Sequence, residues 1–229
     1  MHMKPAQYLL LSLLLLAQMA GAQSANQMTS AQDSDPAAKA LLEKMRQKYE
    51  NYQTMKAEFR LALAFPDQPV ENQNISVLQN GEQYRVDMPD RTLISDGQSL
   101  WMIQHSNKEV QITNVPEAGA DAGIMSPQSL FRIYESNEFV YVLANETVED
   151  GVPIQQIEFK PLDEFSDYSK LRLTLAKKDA SFLRMKAFGK DGTRFSLFLE
   201  RAQPNTNLPS DAFTFSKTDY PDYYIEDLR

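Results

Sequence analysis

The chain has 229 residues, of which 42% are hydrophobic, and a formal charge of −8. This composition supports a substantial core and argues against a nucleic-acid footprint or an anionic membrane surface as partner. Cysteine is absent and the only histidines are His2 and His105, which excludes a disulfide framework, thiolate chemistry and a histidine-pair metal site.

The N-terminus reads as an export signal over residues 1–22. Lys4 supplies the positive start, residues 9–16 are apolar apart from Ser12, and Ala20-Gly21-Ala22 fits a small-x-small cleavage site. The apolar run is too short to span a bilayer, and no cysteine follows it for lipid attachment. A disulfide-free exported chain suits a bacterial envelope. Residues 23–34 are mostly Gln, Ser, Ala and Asn, a composition expected to form a flexible leader. The folded domain is expected over residues 35–229.

A helix then begins with Asp35 as N-cap and Pro36 at the first helical position. Ala38, Leu41, Leu42, Met45, Tyr49 and Tyr52 recur at helical spacing and predict one apolar face. Residues 54–65 alternate polar with apolar, as a half-buried strand does. Residues 75–113 read as a meander of five short strands. Asn80-Gly81 and Asp96-Gly97 suit two-residue hairpin turns with positive φ at both central residues. Counting outward sets Val77 opposite Tyr84, Ile75 opposite Val86 and Leu93 opposite Leu100. A turn at Ser106-Asn107 sets Ile103 opposite Val110 and Trp101 opposite Ile112.

Residues 114–125 carry Pro116, Gly119 and Gly123 and predict a mobile loop. Ser126 and Pro127 start a short helix whose Leu130, Phe131, Ile133 and Tyr134 are apolar; alone it is marginal and must dock. Further strands follow around residues 139–143, 157–159, 171–175, 182–188 and 193–200, the last two joined at Asp191-Gly192. Residues 212–215 read as a final short strand before a Tyr- and Asp-rich tail. The predicted fold is mainly β (α+β): a single curved antiparallel sheet of about eleven strands whose open face two helices cover. Such a pair of layers encloses either a packed core or a cavity, and the pattern leaves both open.

Catalytic signatures are missing. There is no nucleophile elbow, phosphate-cradling loop or dinucleotide fingerprint, so neither an enzyme nor a cofactor is expected. His105, beside a turn, reads as a surface residue. The excess is apolar: twelve Phe, ten Tyr and ten Met, the last being the residue that adapts best to variable apolar guests.

Ser95-Asp96-Gly97 with Leu100-Trp101, the capped short helix, and Ala212-Phe213-Thr214-Phe215, taken in this order with the other elements, resemble the LolA family of periplasmic carriers of outer-membrane lipoproteins. The closing Tyr220-Pro221 and Asp227-Leu228-Arg229 look like Bacteroidetes-type members. The resemblance implies an unclosed half-barrel with the helices as a lid over a hydrophobic cavity for acyl chains. It also implies a monomer in the periplasm that takes lipoproteins from an inner-membrane lipoprotein-releasing transporter to an outer-membrane acceptor or the outer membrane itself. On that reading Phe59, Leu61, Tyr84, Trp101, Leu130, Phe131 and Met185 are expected to line or close the cavity.

The sequence departs from the family pattern at Asn80-Gly81, where proteobacterial members carry an Arg-Pro tied to lid closure, which leaves Arg85 as the nearest substitute latch. Ser216-Lys217 stands where the family has two prolines. Two other readings use the same fold: an envelope lipid-binding or stress-sensing module, which would need a signalling partner and a second domain, and a carrier of another lipid.

Overall fold

The computed structural model describes residues 29–115 and 127–229. The export signal, residues 23–28 of the leader, the loop over residues 116–125 and Ser126 lie outside the described residues. The chain enters through helix α1 (Pro36–Glu50), where the Asp35 carboxylate accepts from Ala37 N at 2.8 Å, as its place before Pro36 predicts. Residues 31–33, expected to be flexible, form a 3-10 turn instead. The segment is tied down next door: Tyr141 N donates to Ser34 Oγ and Asp35 N to Tyr141 O.

Among the described residues twelve strands form one sheet. They are β1 (Thr54–Ala64), β2 (Glu71–Asn80), β3 (Gln83–Asp87), β4 (Arg91–Ser95), β5 (Ser99–Gln104), β6 (Glu109–Asn114), β7 (Phe139–Glu149), β8 (Val152–Pro161), β9 (Tyr168–Ala176), β10 (Phe182–Gly189), β11 (Arg194–Pro204) and β12 (Tyr224–Asp227). Their order across the sheet is β12-β6-β5-β4-β3-β2-β1-β11-β10-β9-β8-β7, so β1 joins the two halves at the centre and the edges do not meet. The second helix, α2 (Pro127–Arg132), crosses the same face as α1.

Three sequence expectations change. Residues 212–215 form no strand: turns run through Phe213, with Ala212 N donating to Pro209 O and Thr214 N to Asp211 O, and Thr214 and Phe215 are irregular. The place beside β6 is taken by β12, which pairs with β6 in parallel and is the twelfth strand; every other neighbouring pair is antiparallel. An alternating triplet such as Phe213-Thr214-Phe215 is satisfied by turns when its rings pack on other elements: Phe213 is buried, and Phe215 stacks on Trp101.

Two hairpin registers also slide by two residues. Val77 pairs with Val86 rather than Tyr84, and Leu93 with Met102 rather than Leu100. In the first hairpin the central residues are Gly81 and Glu82, with positive φ at Gly81 alone (+56°), the pattern of a turn with glycine first. The same shift around Gly97 lets Asp96 Oδ1 accept from Gln98 N and Ser99 N at 2.8 and 2.7 Å. A slip of two keeps every side chain on its face. The third register holds: Ile103 pairs with Val110 and Trp101 with Ile112.

The main core lies between the helices and the inner sheet face. Leu42, Met45 and Tyr49 of α1 meet Phe59, Ile157, Phe159, Leu173, Leu175 and Phe182, all buried. Lys48 pins the far end of α1 to the β9–β10 connection, donating to Asp179 Oδ2 and Ser181 Oγ. The Lys48 hydrogen bond, aided by Ser181, draws the Asp179 carboxyl from 3.8 down to about 2. A depressed carboxylate stabilises the fold above its unfolded pKa and loses that contribution as pH falls through the folded one. Asp179→Asn is therefore expected to cost about 0.2–1 kcal/mol at neutral pH, because the pair is half-exposed. The gap to wild type closes between about pH 4 and pH 2, as read by urea unfolding across that range. A gap that persisted at the acid end would remove the ion pair as its cause.

Candidate functional site

Strand periodicity puts two registered rows of apolar side chains on the inner face of the second half-sheet. Leu61, Leu197, Met185, Leu173 and Ile157 pair across five strands, and Leu63, Phe195, Ala187, Leu171 and Phe159 form the row beside them. Toward one end of these rows the helices stop short of filling the space. A cavity of about 780 Å³ opens there, within the roughly 300–1,000 Å³ of small-molecule sites. Its floor is Leu61, Ile75, Leu171, Met185, Phe195 and Leu197; its roof is Leu130 of α2 with Ile133; Arg132, Glu135 and Glu138 sit at the rim.

The roof is short and held from one side. Phe131 stacks on Tyr49 of α1 with centroids 4.2 Å apart and planes 8° from parallel, and meets Phe182 edge-on at 6.4 Å. Tyr49 is fixed in turn, its hydroxyl accepting from Phe182 N at 3.1 Å, while burial pushes its pKa up to about 12. Two ion pairs tie α1 to this segment, Arg132–Glu50 at 2.7 Å from α2 itself and Arg46–Glu135 at 3.3 Å from the 3-10 turn Ile133–Glu135 that follows it. Gln128 Nε2 donates to Gly81 O at 2.7 Å and ties the start of α2 to the β2–β3 turn. The ion pairs are partly exposed and worth about 0–1 kcal/mol each, whereas burying a phenylalanine is worth about 1.5–3 kcal/mol, so the ring dominates. Among the described residues no cluster of three or more His, Asp or Glu could hold a metal ion, and no helix is long and apolar enough to cross a membrane.

Residues 78–216, well over half of the chain, match the family described as outer membrane lipoprotein carrier protein LolA. The chain belongs to the LolA family. No curated protein sequence matches it. An uncharacterized conserved protein from Thermus thermophilus has a similar structure, with a TM-score of 0.55 at 11% identity over 83% of this chain and 99% of that one, a likeness of fold. A LolA superfamily protein from Nitrosomonas europaea aligns with a TM-score of 0.42 at 15% identity over 78% and 97% of the two chains. LprF from Mycobacterium bovis aligns at 0.46 and 10% identity over 77% and 98%.

The residues singled out from the LolA resemblance fall into three places. Leu61, Leu130 and Met185 line the cavity. Phe59 and Phe131 are buried beside it in the main core, each edge-on to Phe182. Tyr84 is buried in a separate cluster with Leu93 and Leu100, and burial pushes its pKa up to about 12. Trp101 and Arg85 lie on the outer face of the sheet: Arg85 pairs with Ile94, Ile94 with Trp101, and Trp101 stacks on Phe215 at 6.0 Å. Arg85 reaches Asp87 Oδ2 at 2.9 Å and hydrogen-bonds Tyr220, far from the helices. The polar contacts that hold the roof, beside the dominant Phe131 ring, come instead from Arg46, Glu50, Gln128, Arg132 and Glu135.

His105, read as a surface residue, is half-buried on the same outer face, with Thr92 Oγ1 at 3.1 Å from Nε2 and Tyr223 OH at 3.3 Å from Nδ1. Of the lining residues missed, Leu197 and Phe195 carry a signal in the alternation of Phe195, Leu197 and Leu199, but a two-residue turn at Asp191-Gly192 would set Met185 opposite Phe198; the register is centred on Asp191 and pairs Met185 with Leu197. The ion pairs to α1 were not recoverable, because Arg132 reaches Glu50 across 82 positions of sequence.

Proposed function

We propose that this protein carries lipoproteins across the periplasm, sheltering their acyl chains from an inner-membrane releasing transporter to the outer membrane. The observation that carries the reading is the apolar cavity beneath the short helix Pro127–Arg132 in a chain of the LolA family. Each buried CH₂ is worth about 0.8 kcal/mol, so exposing a chain of about fifteen would cost on the order of 12 kcal/mol. An aqueous crossing therefore needs an apolar shelter. The shelter must also let go, and a roof that closes when the cavity is empty competes with the guest for the same surface. The work is binding and release without covalent chemistry: Leu, Ile, Phe and Met form the wall, and charged groups stand at the rim.

The test is mass spectrometry of the exported form purified from the periplasm, with a measurement of whether it strips a triacylated lipoprotein from membranes into a soluble one-to-one complex. Ala187→Trp supplies the specific control. Ala187 is half-buried and lines the cavity, so an indole there occupies the guest's volume. Stripping is expected to fall at least about tenfold, a loss of about 1.4 kcal/mol of binding, with unfolding resistance unchanged or raised. A protein that solubilises no lipoprotein but retains a free lipid would make it a carrier of that lipid instead.

A further inference from the structure

The strands that line the cavity present a second surface on their backs. Side chains there fall into three registered rows. Arg60, Phe198, Arg184 and Thr174 form the first; Ala62, Ser196, Lys186, Arg172 and Glu158 the second; Ala64, Arg194, Phe188 and Lys170 the third. Six cations stand here against three carboxylates, Glu158, Glu149 and Glu200, on a chain whose overall charge is −8.

The cations converge on aromatic rings. Lys170, Lys186 and Arg194 lie 5.2 Å, and Arg172 5.3 Å, from the centroid of the single Phe188 ring; Arg60 and Arg184 lie 4.1 and 5.6 Å from Phe198. One carboxylate serves two of them: Glu158 Oε1 accepts from Lys170 Nζ at 2.8 Å and from Arg172 Nε at 2.9 Å. Among the described residues neither Lys186 nor Arg194 has a carboxylate within ion-pair reach. Arg194 donates to the carbonyls of Gly189 and Thr193, and the nearby Asp191 is engaged by Thr193. Burial and the neighbouring Arg184, Arg194 and Arg172 draw the Lys186 ammonium below its ordinary pKa. Like charges gathered this closely repel one another until an anion arrives.

We propose that the outer face of β9, β10 and β11 docks the protein on an anionic membrane surface, with Phe188 and Phe198 at headgroup level and the surrounding cations on lipid phosphates. The shape of the face selects this partner. Its rows repeat about every 7 Å along the strands and its strands about every 4.8 Å across them, so the cations form a plane and no pocket in which a small anion would be enclosed. Six cationic heads gathered over two half-buried rings set positive charge and aromatic surface side by side, a combination that suits a headgroup layer. The remaining acidic surface is repelled from the same membrane, which orients the molecule. Because Ala187 and Phe195 alternate with Lys186, Phe188 and Arg194 on the same strands, the docked face is the back of the cavity floor, and the helices and the cavity rim are left facing away from the lipid. A net negative chain argued against such a surface; strand parity sorts the charges that the total averages away.

The experiment is co-sedimentation of the exported form, free of lipoprotein, with phosphatidylcholine vesicles containing about 30% phosphatidylglycerol, against vesicles of phosphatidylcholine alone. The expected result is binding to the anionic vesicles only, lost as salt rises from about 0.05 to 0.5 M. Lys186→Gln with Arg194→Gln is expected to weaken binding about 25-fold, fivefold for each lost cation. Lys186→Arg with Arg194→Lys keeps the charge and should bind as wild type, as should Lys44→Gln on the exposed side of α1. Equal binding to both vesicle types, or binding indifferent to the Gln pair, overturns the proposal. So does binding to neither, which would turn the face over to an acidic protein. No acyl cargo takes part, so the outcome is independent of the carrier reading.

Discussion

Leu130→Glu is expected to abolish acyl uptake, cutting lipoprotein stripping at least about 100-fold, or about 2.7 kcal/mol. Leu130 is 4% exposed and forms the roof of the cavity. A carboxylate there, with no cation positioned for it, costs several kcal/mol to bury. The empty protein escapes that cost by lifting the helix, whose six residues hold their place only by docking, but a roof closed over cargo must press the carboxylate onto the acyl chain, so the bound state carries the penalty. The sheet does not need that helix to pair: β1, β2 and β8 to β11 keep their ladders and the face buried by α1. The variant should therefore unfold cooperatively with a sheet-rich spectrum and yet carry nothing. Leu130→Met, which conserves volume at a cost below about 1.5 kcal/mol, should restore uptake. A Glu variant that strips lipoprotein at the wild-type rate would remove the helix from the site.

Phe131→Ala should do the reverse to cargo. Truncating a ring buried to 3% exposure, stacked on Tyr49 at 4.2 Å, costs about 3–5 kcal/mol. If α2 is a lid, that cost falls on the closed state, and the guest no longer competes with a well-packed closure. Apparent affinity is the intrinsic value scaled by the open fraction, so loosening closure tightens binding until the open state dominates. Release of lipoprotein to acceptor membranes should slow at least about tenfold, while urea unfolding shifts to lower concentration. Lower stability with an unchanged release rate would assign Phe131 to a static core. Glu50→Gln, by contrast, should change both by only about 1 kcal/mol, since the two pairs it breaks, with Arg132 and Arg46, are partly exposed.

Much of the architecture was legible in advance because its causes are local. The start of α1 follows from Asp35 and Pro36, its buried face from the spacing of Ala38, Leu42, Met45 and Tyr49, and the strands from period-two alternation. The hairpin at residues 105–108 came out in register because apolar pairs on both sides agreed on one alignment. The slips at Gly81 and Gly97 arose where one glycine fits either central position of a turn, a two-residue ambiguity that leaves the faces unchanged.

What the chain determined by itself was the two helices, strands β1 to β11, the neighbourhood of their turns, the apolar surplus and the absence of catalytic signatures, all of which depend on residues a few positions apart. Which face of each strand meets the helices was decided by tertiary structure. Trp101 and Arg85 alternate as inner residues do, but they face outward because the C-terminal segment brings Phe215, Tyr220 and Ile225 to a second core on that side. The cavity is likewise a remainder, the space left where a six-residue helix covers strands too long for it. The basic face is a sum over strands remote in sequence, as Arg60 and Glu200 meeting across 140 positions illustrates. Local pattern decides what each segment can be; only packing decides what it stands next to, because burial and charge act between segments that the chain order keeps apart.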